Sequence, residues 1–308
     1  MNFRAVNSFE DIVSILAKER GLKLLGKNDD EASNTLYAFT DSVQPNKSHI
    51  LKLLEKESLE VKFYKEHILA IRQKYTFGLL ELPEALEIFT TENKAYLLVP
   101  HYNGDKFTFN TPDINLAKTM PLIVKDLLAI NVEEIKEGGS NYDFEGHERE
   151  FWTFFKKAVE LGLINPTEEE KLKVQIEGIF IQGRNTQKMI ISNGDFNPRN
   201  IIRLSNGKLV LIDWDGVVLP LEQHLAYAWL LNFENPAWQK TYAETFEQEL
   251  PIQKFNVRYH LMRLSLIRAV GEMGHYKPGI NENPLIMVKD HMKNFHRSLA
   301  GFDSLTQF

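Results

Sequence analysis

Residues 190–215 constrain this chain more than any other stretch. The apolar run Ile190-Ile191-Ser192 leads into Asn193-Gly194-Asp195, and Asn200 follows Asp195 by five positions. A second apolar run, Val210-Leu211-Ile212, ends on Asp213-Trp214-Asp215, thirteen positions after Asn200. Short apolar runs bounded by Gly, Pro, Asn and Asp read as strands joined by a tight loop. Such a loop presents Asp195 and Asn200 on one side of a cleft, and the next strand delivers Asp213 opposite them. An aspartate and an asparagine in a turn are common for local backbone bonding alone. The second acid-terminated strand at this spacing is what makes the pattern informative.

Phosphoryl transfer requires this set of groups. One carboxylate orients and deprotonates a hydroxyl, while a second carboxylate and a neutral oxygen donor hold magnesium on the phosphates. Magnesium takes hard oxygen ligands and keeps several waters, so one Asp and one Asn suffice. The segment resembles the aminoglycoside phosphotransferase and choline kinase family, whose signature is H-G-D-x-x-x-x-N followed by a hydrophobic strand ending I-D-W or I-D-F. The resemblance implies that Asp195 is the catalytic base and that Asn200 and Asp213 are metal ligands. It also implies ATP and Mg2+ as cofactors and a small-molecule hydroxyl acceptor as substrate. I-D-W in place of D-F-G favours the small-molecule branch over protein kinases. Two positions depart from the pattern. Asn193 stands where the family has His, in a supporting role that an amide can still fill by donating and accepting. His224, in Glu222-Gln223-His224-Leu225-Ala226, stands where the family often shows Asp. These departures keep open an alternative, a catalytically weak or inactive kinase-like nucleotide-binding module. Trp214 reads as a packing residue, and Asp215 as either a solvated loop residue or a group near the substrate.

The first hundred residues supply what such a fold needs. Ser8 with Asp11, Ile12, Ile15 and Leu16 marks a capped amphipathic helix. Strand-like runs follow at Leu22–Gly26, Thr35–Asp41 and His49–Leu54. A helix is expected over Glu57–Tyr75, then a hairpin of Ala85–Thr90 and Lys94–Pro100. By the resemblance, Lys52 on the third strand binds the α- and β-phosphates and pairs with a glutamate of the following helix. Glu66 is the first choice and Glu60 the rival. Ser33 and Asn34 resemble the turn that covers the phosphates. Tyr96 to Gly104 resembles the hinge between lobes, with the Pro100 carbonyl and the Tyr102 N–H facing adenine; proline lacks only the donor, which is not needed there. Beyond Gly104 the pattern turns mostly helical.

The fold class expected is therefore α+β, a two-lobed protein-kinase-like fold. A small antiparallel β-sheet N-terminal lobe over residues 1–100 would bind nucleotide. A larger, mostly helical lobe over 101–308 would carry catalysis and acceptor binding.

Composition narrows the partners. With 43% hydrophobic and 25% charged residues the chain is of ordinary globular type. A net charge of -6 argues against nucleic-acid binding, which needs a basic surface. Cysteine is absent, which excludes disulfides, thiolate zinc sites and cysteine nucleophiles. No signal-peptide pattern and no apolar run near the length of a membrane span is apparent, so a cytoplasmic protein without membrane contact is expected. The acidic balance, together with Asp215, Glu222, Glu234 and the aromatic residues Tyr227, Trp229, Phe233 and Trp238, leads to the expectation of an amino- or ammonium-bearing acceptor.

Overall fold

The computed structural model describes residues 2–29, 35–107, 113–135, 142–183, 187–232, 234–276 and 283–301. The N-terminal part contains β1 (Asn2–Ala5), α1 (Phe9–Arg20), β2 (Leu22–Asp29), β3 (Thr35–Asp41), β4 (Ser48–Glu55), α2 (Leu59–Glu66), α3 (Ile68–Lys74), β5 (Leu80–Glu81), β6 (Glu87–Thr90) and β7 (Lys94–Pro100). Its main sheet has the order β1-β6-β7-β4-β3-β2. All neighbours are antiparallel except β1, which adds to β6 in parallel. Sequence patterning missed β1, because its Asn2-Phe3-Arg4-Ala5 has no core face of its own. Its place is set by charge instead. Arg4 and, from the end of α1, Arg20 both pair with the fully buried Glu87 of β6.

The expected first helix is present. Ser8 and Asp11 form a reciprocal capping box, and Gly21 ends the helix in the left-handed conformation. It lays Ile12 and Leu16 on Phe39, Leu51, Phe89 and Leu98 of the sheet. Each such side chain contributes roughly 1.5–3 kcal/mol of burial energy. The single helix expected over Glu57–Tyr75 is instead two, broken at His67 (φ -125°). Both helices bury their apolar residues in the same core, at different places. Phe63 of α2 turns toward Trp214, whereas Ile71 of α3 faces inward beside Tyr75 and Ile135.

The C-terminal part is mainly helical. It contains β8 (Gly104–Lys106), α4 (Ile114–Leu127), α5 (Phe144–Glu160), α6 (Glu169–Gly183), β9 (Met189–Ser192), β10 (Ile201–Leu204), β11 (Leu209–Leu211), β12 (Val217–Pro220), α7 (Leu221–Leu231), α8 (Pro236–Glu249), α9 (Lys254–His275) and α10 (Asn283–Ala300). Helix α4 packs on α8, and α9 packs on α5, α7 and α10. The strands form two small sheets, β5-β11-β10-β8 and β12-β9, that hold the segment from residue 189 to 220. The largest apolar core runs from α2 and α3 through these strands into α4, α7 and α8.

Burial gives this part a defined acid response. Burial pushes His224 down to about 3 and His291 down to about 4, and holds His260 well below its ordinary value. All three are therefore neutral when folded. Below about pH 6.5 the unfolded chain takes up protons that the folded chain resists, so stability falls as pH falls. Each histidine contributes at most about 1.4 kcal/mol per pH unit. We expect the denaturation midpoint to drop between pH 7 and pH 5, and His224→Gln to flatten that dependence. A dependence unchanged in the variant would show that His224 takes no part in it.

Candidate active site

Strand β9 delivers the loop that carries Asp195. Gly194 makes the turn at φ +83°, a conformation in which a side chain is strained. Asn193 is fully buried, and its Nδ2 donates to the carbonyls of Asp195 (3.0 Å) and Ile212 (3.1 Å). One amide thus ties the Asp195 loop to the segment that carries Asp213, the supporting task expected at this position. Asn197 caps a short 3-10 turn over Pro198–Asn200. That turn points Asn200 Nδ2 back at Asp195, to the carbonyl and to Oδ2, each at 2.9 Å. Both amide hydrogens of Asn200 are engaged on this side, which leaves its Oδ1 as an acceptor for another ligand. The backbone N–H of Ile212 donates to the Asn200 carbonyl at 2.9 Å, holding the two metal-ligand candidates on adjacent chain.

Asp213 follows β11 with φ +58°, and it is the one non-glycine residue with positive φ among the described residues. Backbone strain of this kind costs on the order of 1–3 kcal/mol and concentrates at functional positions. Here it turns the carboxylate away from the strand, leaving the side chain half exposed. Trp214 turns the other way. It is fully buried, stacks on Phe63 of α2 with centroids 5.4 Å apart, and donates through Nε1 to the Leu211 carbonyl at 2.6 Å. Gly216 (φ +63°) completes the fit, since a Cβ there would lie 2.1 Å from the Phe63 ring. Helix α2 and the Asp213 loop are therefore packed as one unit. Asp215 is exposed beside Asp213 and Asp195, and desolvation at the cleft, with those two carboxylates, holds its own carboxyl above the usual range.

Lys52 lies on β4, is 7% exposed, and bridges the two parts of the molecule. Its Nζ donates to Glu60 Oε2 at 2.6 Å and to Asp213 Oδ1 at 3.0 Å. The partner on the helix is thus Glu60, not Glu66. Glu60 sits in the first turn of α2 and is buried. Glu66 lies about 9 Å further along the axis, with its side chain 46% exposed beside His67. Burial pushes the Glu60 carboxyl up to about 7, against the pull of Lys52. Pro100 ends β7 opposite His49, and the Tyr102 hydroxyl accepts the Glu84 N–H at 2.7 Å. Ser33 and Asn34 lie outside the described residues.

On the far side of Asp195, a cavity of about 210 Å³ is lined by residues that include Gly194, Phe196, Gln223, Tyr227 and Arg263. Tyr227 O–H donates to Asp195 Oδ1 at 2.6 Å, so a residue of the cavity wall touches the carboxylate directly. Burial, reinforced by Asp195, pushes the Tyr227 phenol up to about 12, which keeps it a donor. Sequence reading gave Tyr227 no role at Asp195, because its only signal is a place one turn beyond Gln223 on an apolar helix. The aromatic group expected to receive a cation is mostly elsewhere. Trp229 and Trp238 are core, Trp238 stacked on Tyr242, and Phe233 lies outside the described residues. Glu222 is buried and accepts from the Gln253 N–H at the start of α9.

No family model and no curated protein matches this chain by sequence. Solved structures match along almost its whole length. The GDP complex of wild-type aminoglycoside 2'-phosphotransferase-IIIa is 11% identical with a TM-score of 0.56, covering 94% of this chain and 98% of that one. An amicoumacin kinase in complex with AMP-PNP, Ca2+ and its ligand Ami is 12% identical with a TM-score of 0.59, covering 98% and 96%. A putative fructosamine-3-kinase from Haemophilus somnus 129PT is 14% identical with a TM-score of 0.56, covering 92% and 97%. The chain has the fold of the protein-kinase-like small-molecule kinases. This kinase-like fold is α+β, with a β-sheet N-terminal region and a helical C-terminal part, as expected from the sequence. No helix among the described residues is long and apolar enough to cross a membrane.

Within the kinase-like fold, Asn193 yields a direct test. Asn193→Ala removes both donors that link the Asp195 and Asp213 segments, and each lost buried hydrogen bond costs about 1–3 kcal/mol. We expect lower thermal stability and weakened turnover from that variant. Asn193→His should retain part of both, because a ring N–H can serve one of the two carbonyls. Equal stability of the alanine variant and the parent would remove the linking role.

Proposed function

We propose that this protein is an ATP- and magnesium-dependent phosphotransferase that moves the γ-phosphate to a hydroxyl of a small molecule. Residues 1–100 would form the nucleotide-binding lobe and residues 101–308 the catalytic and acceptor-binding lobe. The observation that carries the reading is the chain of contacts Glu60–Lys52–Asp213, set beside Asp195–Asn200 and Asn193. A buried ammonium held between two carboxylates from different parts of the fold is what cradling the α- and β-phosphates requires.

In this reading Asp195 orients the acceptor hydroxyl and takes its proton. Asn200 and Tyr227 each donate to one of its carboxylate oxygens, fixing its direction before the acceptor arrives. Lys52 binds phosphate oxygens while Glu60 holds it in place. Pro100 and Tyr102 would meet adenine at the hinge, and Ser33 and Asn34 would lie over the phosphates. Asn200 Oδ1 and the half-exposed Asp213 would hold magnesium, an oxygen pair that suits a hard cation and leaves room for water and phosphate. The ion, when bound, neutralises charge on the phosphates. The alternative of a weak or inactive kinase-like nucleotide-binding module rests on the missing histidine at 193 and on His224 in place of an aspartate. Asn193 makes the linking contacts itself, which favours an active enzyme. A cytoplasmic location is part of the same proposal.

The test is Mg·ATP binding followed by ADP release in the presence of hydroxyl acceptors. Lys52→Ala is expected to weaken ATP use far more than Lys47→Ala or Lys56→Ala, both of which alter exposed residues. Equal effects at the three positions would overturn the assignment of Lys52. Absence of Mg·ATP binding by the parent protein would overturn the kinase reading.

A further inference from the structure

The cavity beside Asp195 is lined by one cation, Arg263, and one carboxylate, Glu150. Arg263 reaches it from α9 and is only 2% exposed. Its NH1 lies 3.2 Å from His147 Nδ1, and its NH2 donates to Gln223 Oε1 at 3.2 Å. Both partners are neutral: burial and then the charge of Arg263 hold His147 below its ordinary value. Glu150 Oε2 stands 3.6 Å from NH1, beyond hydrogen-bond range, on a side chain that is 46% exposed. A guanidinium has five N–H donors, and the Nε of Arg263 has no hydrogen-bond partner among the described residues. The guanidinium is thus paired with a carboxylate only through the partly exposed Glu150, and one of its donors is left over. A second cation stands close by, since the Arg268 guanidinium lies 5.0 Å from the centre of the Tyr227 ring. That face of Tyr227 is therefore taken and cannot receive an ammonium group.

We infer that the acceptor is a small hydroxy acid, whose carboxylate seats against Arg263 while its hydroxyl reaches Asp195. This rests on the kinase reading and names its substrate class. The planar fork of a guanidinium matches a carboxylate, and the low-dielectric wall strengthens the pair. An amino group next to the carboxylate, where the acid carries one, would face Glu150. In the transfer the acceptor oxygen forms a bond to Pγ as the bond from Pγ to the β,γ-bridging oxygen breaks. The hydroxyl proton goes to Asp195, and ADP and a phosphate monoester leave.

The test is a coupled ADP-release assay, paired with calorimetric titration of the Mg·ADP-saturated protein. D-Glycerate, gluconate, L-serine and L-homoserine are compared with choline, ethanolamine and glycerol. At least one of the acids is expected to bind and to turn over in preference to the cationic and neutral compounds. Arg263→Gln is expected to raise KM for that acid on the order of 10–100-fold. Arg263→Lys should recover only part, because an ammonium keeps the charge without the fork. Should Arg263→Gln fail to fold, the panel on the parent protein decides. Preference for choline, ethanolamine or glycerol, or no response to any of the acids, overturns the inference. Mg·ATP binding that persists in that case leaves the kinase reading standing, whereas its absence removes both.

Discussion

Replacing Asp195 with asparagine is expected to lower turnover by ~10²–10⁴-fold, the usual loss for a positioned base, while Mg·ATP affinity stays close to that of the parent. The amide is nearly isosteric with the carboxylate: its one oxygen can accept from the Asn200 amide while its NH2 faces the Tyr227 hydroxyl, which can turn to accept instead of donate. What the amide cannot do is accept the proton of an attacking hydroxyl. Steady-state ADP release and calorimetric Mg·ATP binding on the same preparation check both halves. Near-parental turnover by the variant would remove Asp195 from the chemistry. Loss of nucleotide binding together with turnover would mean that the residue supports the loop rather than the reaction.

Asp213→Asn is the second large effect expected, with turnover reduced on the order of 10³-fold, since a metal on the phosphates is worth several kcal/mol. The choice of asparagine matters. Asp213 holds a left-handed backbone (φ +58°), and asparagine is among the side chains that tolerate that region. A loss of activity therefore reports on charge and not on a refolded turn. The variant also leaves Lys52 with Glu60 as its remaining charged partner of the two. Nucleotide binding should need more magnesium for half-saturation, and thermal stability without ligand should change little. Asn200→Ala should move the same readouts in the same direction but less, because a neutral ligand is lost instead of a charge. Unchanged magnesium dependence in Asp213→Asn would overturn the metal assignment.

The sequence alone determined the features that depend on local pattern. Two apolar runs ending on Asp195 and Asp213 read as strands because β-branched and apolar residues at that spacing, closed by Gly, Asn and Asp, have few other ways to fold. The same local logic located α1, from its capping box, and the β4 strand that carries Lys52. Those elements are held by contacts between near neighbours, so a linear reading reaches them. Tertiary structure decided the rest. Glu60 and Glu66 are equivalent on paper, and only the docking of Phe63 on Trp214, from residues far apart in the chain, sets which one meets Lys52. The break at His67 separates α2, docked on Trp214 through Phe63, from α3, and both pack into one core. Tyr227 has no motif, because its role comes from where α7 packs against the Asp195 loop. Trp229 and Trp238 resemble a cation site in sequence, but burial in the helical core removes them from the cleft. Arg263 carried no signal either. A charged residue on a long helix reads as solvent-facing, and only the packing of α9 against α5 and α7 turns it inward beside Asp195. Local pattern specifies an element and its loop chemistry, whereas the face a side chain presents to a cleft is settled by contacts across the chain.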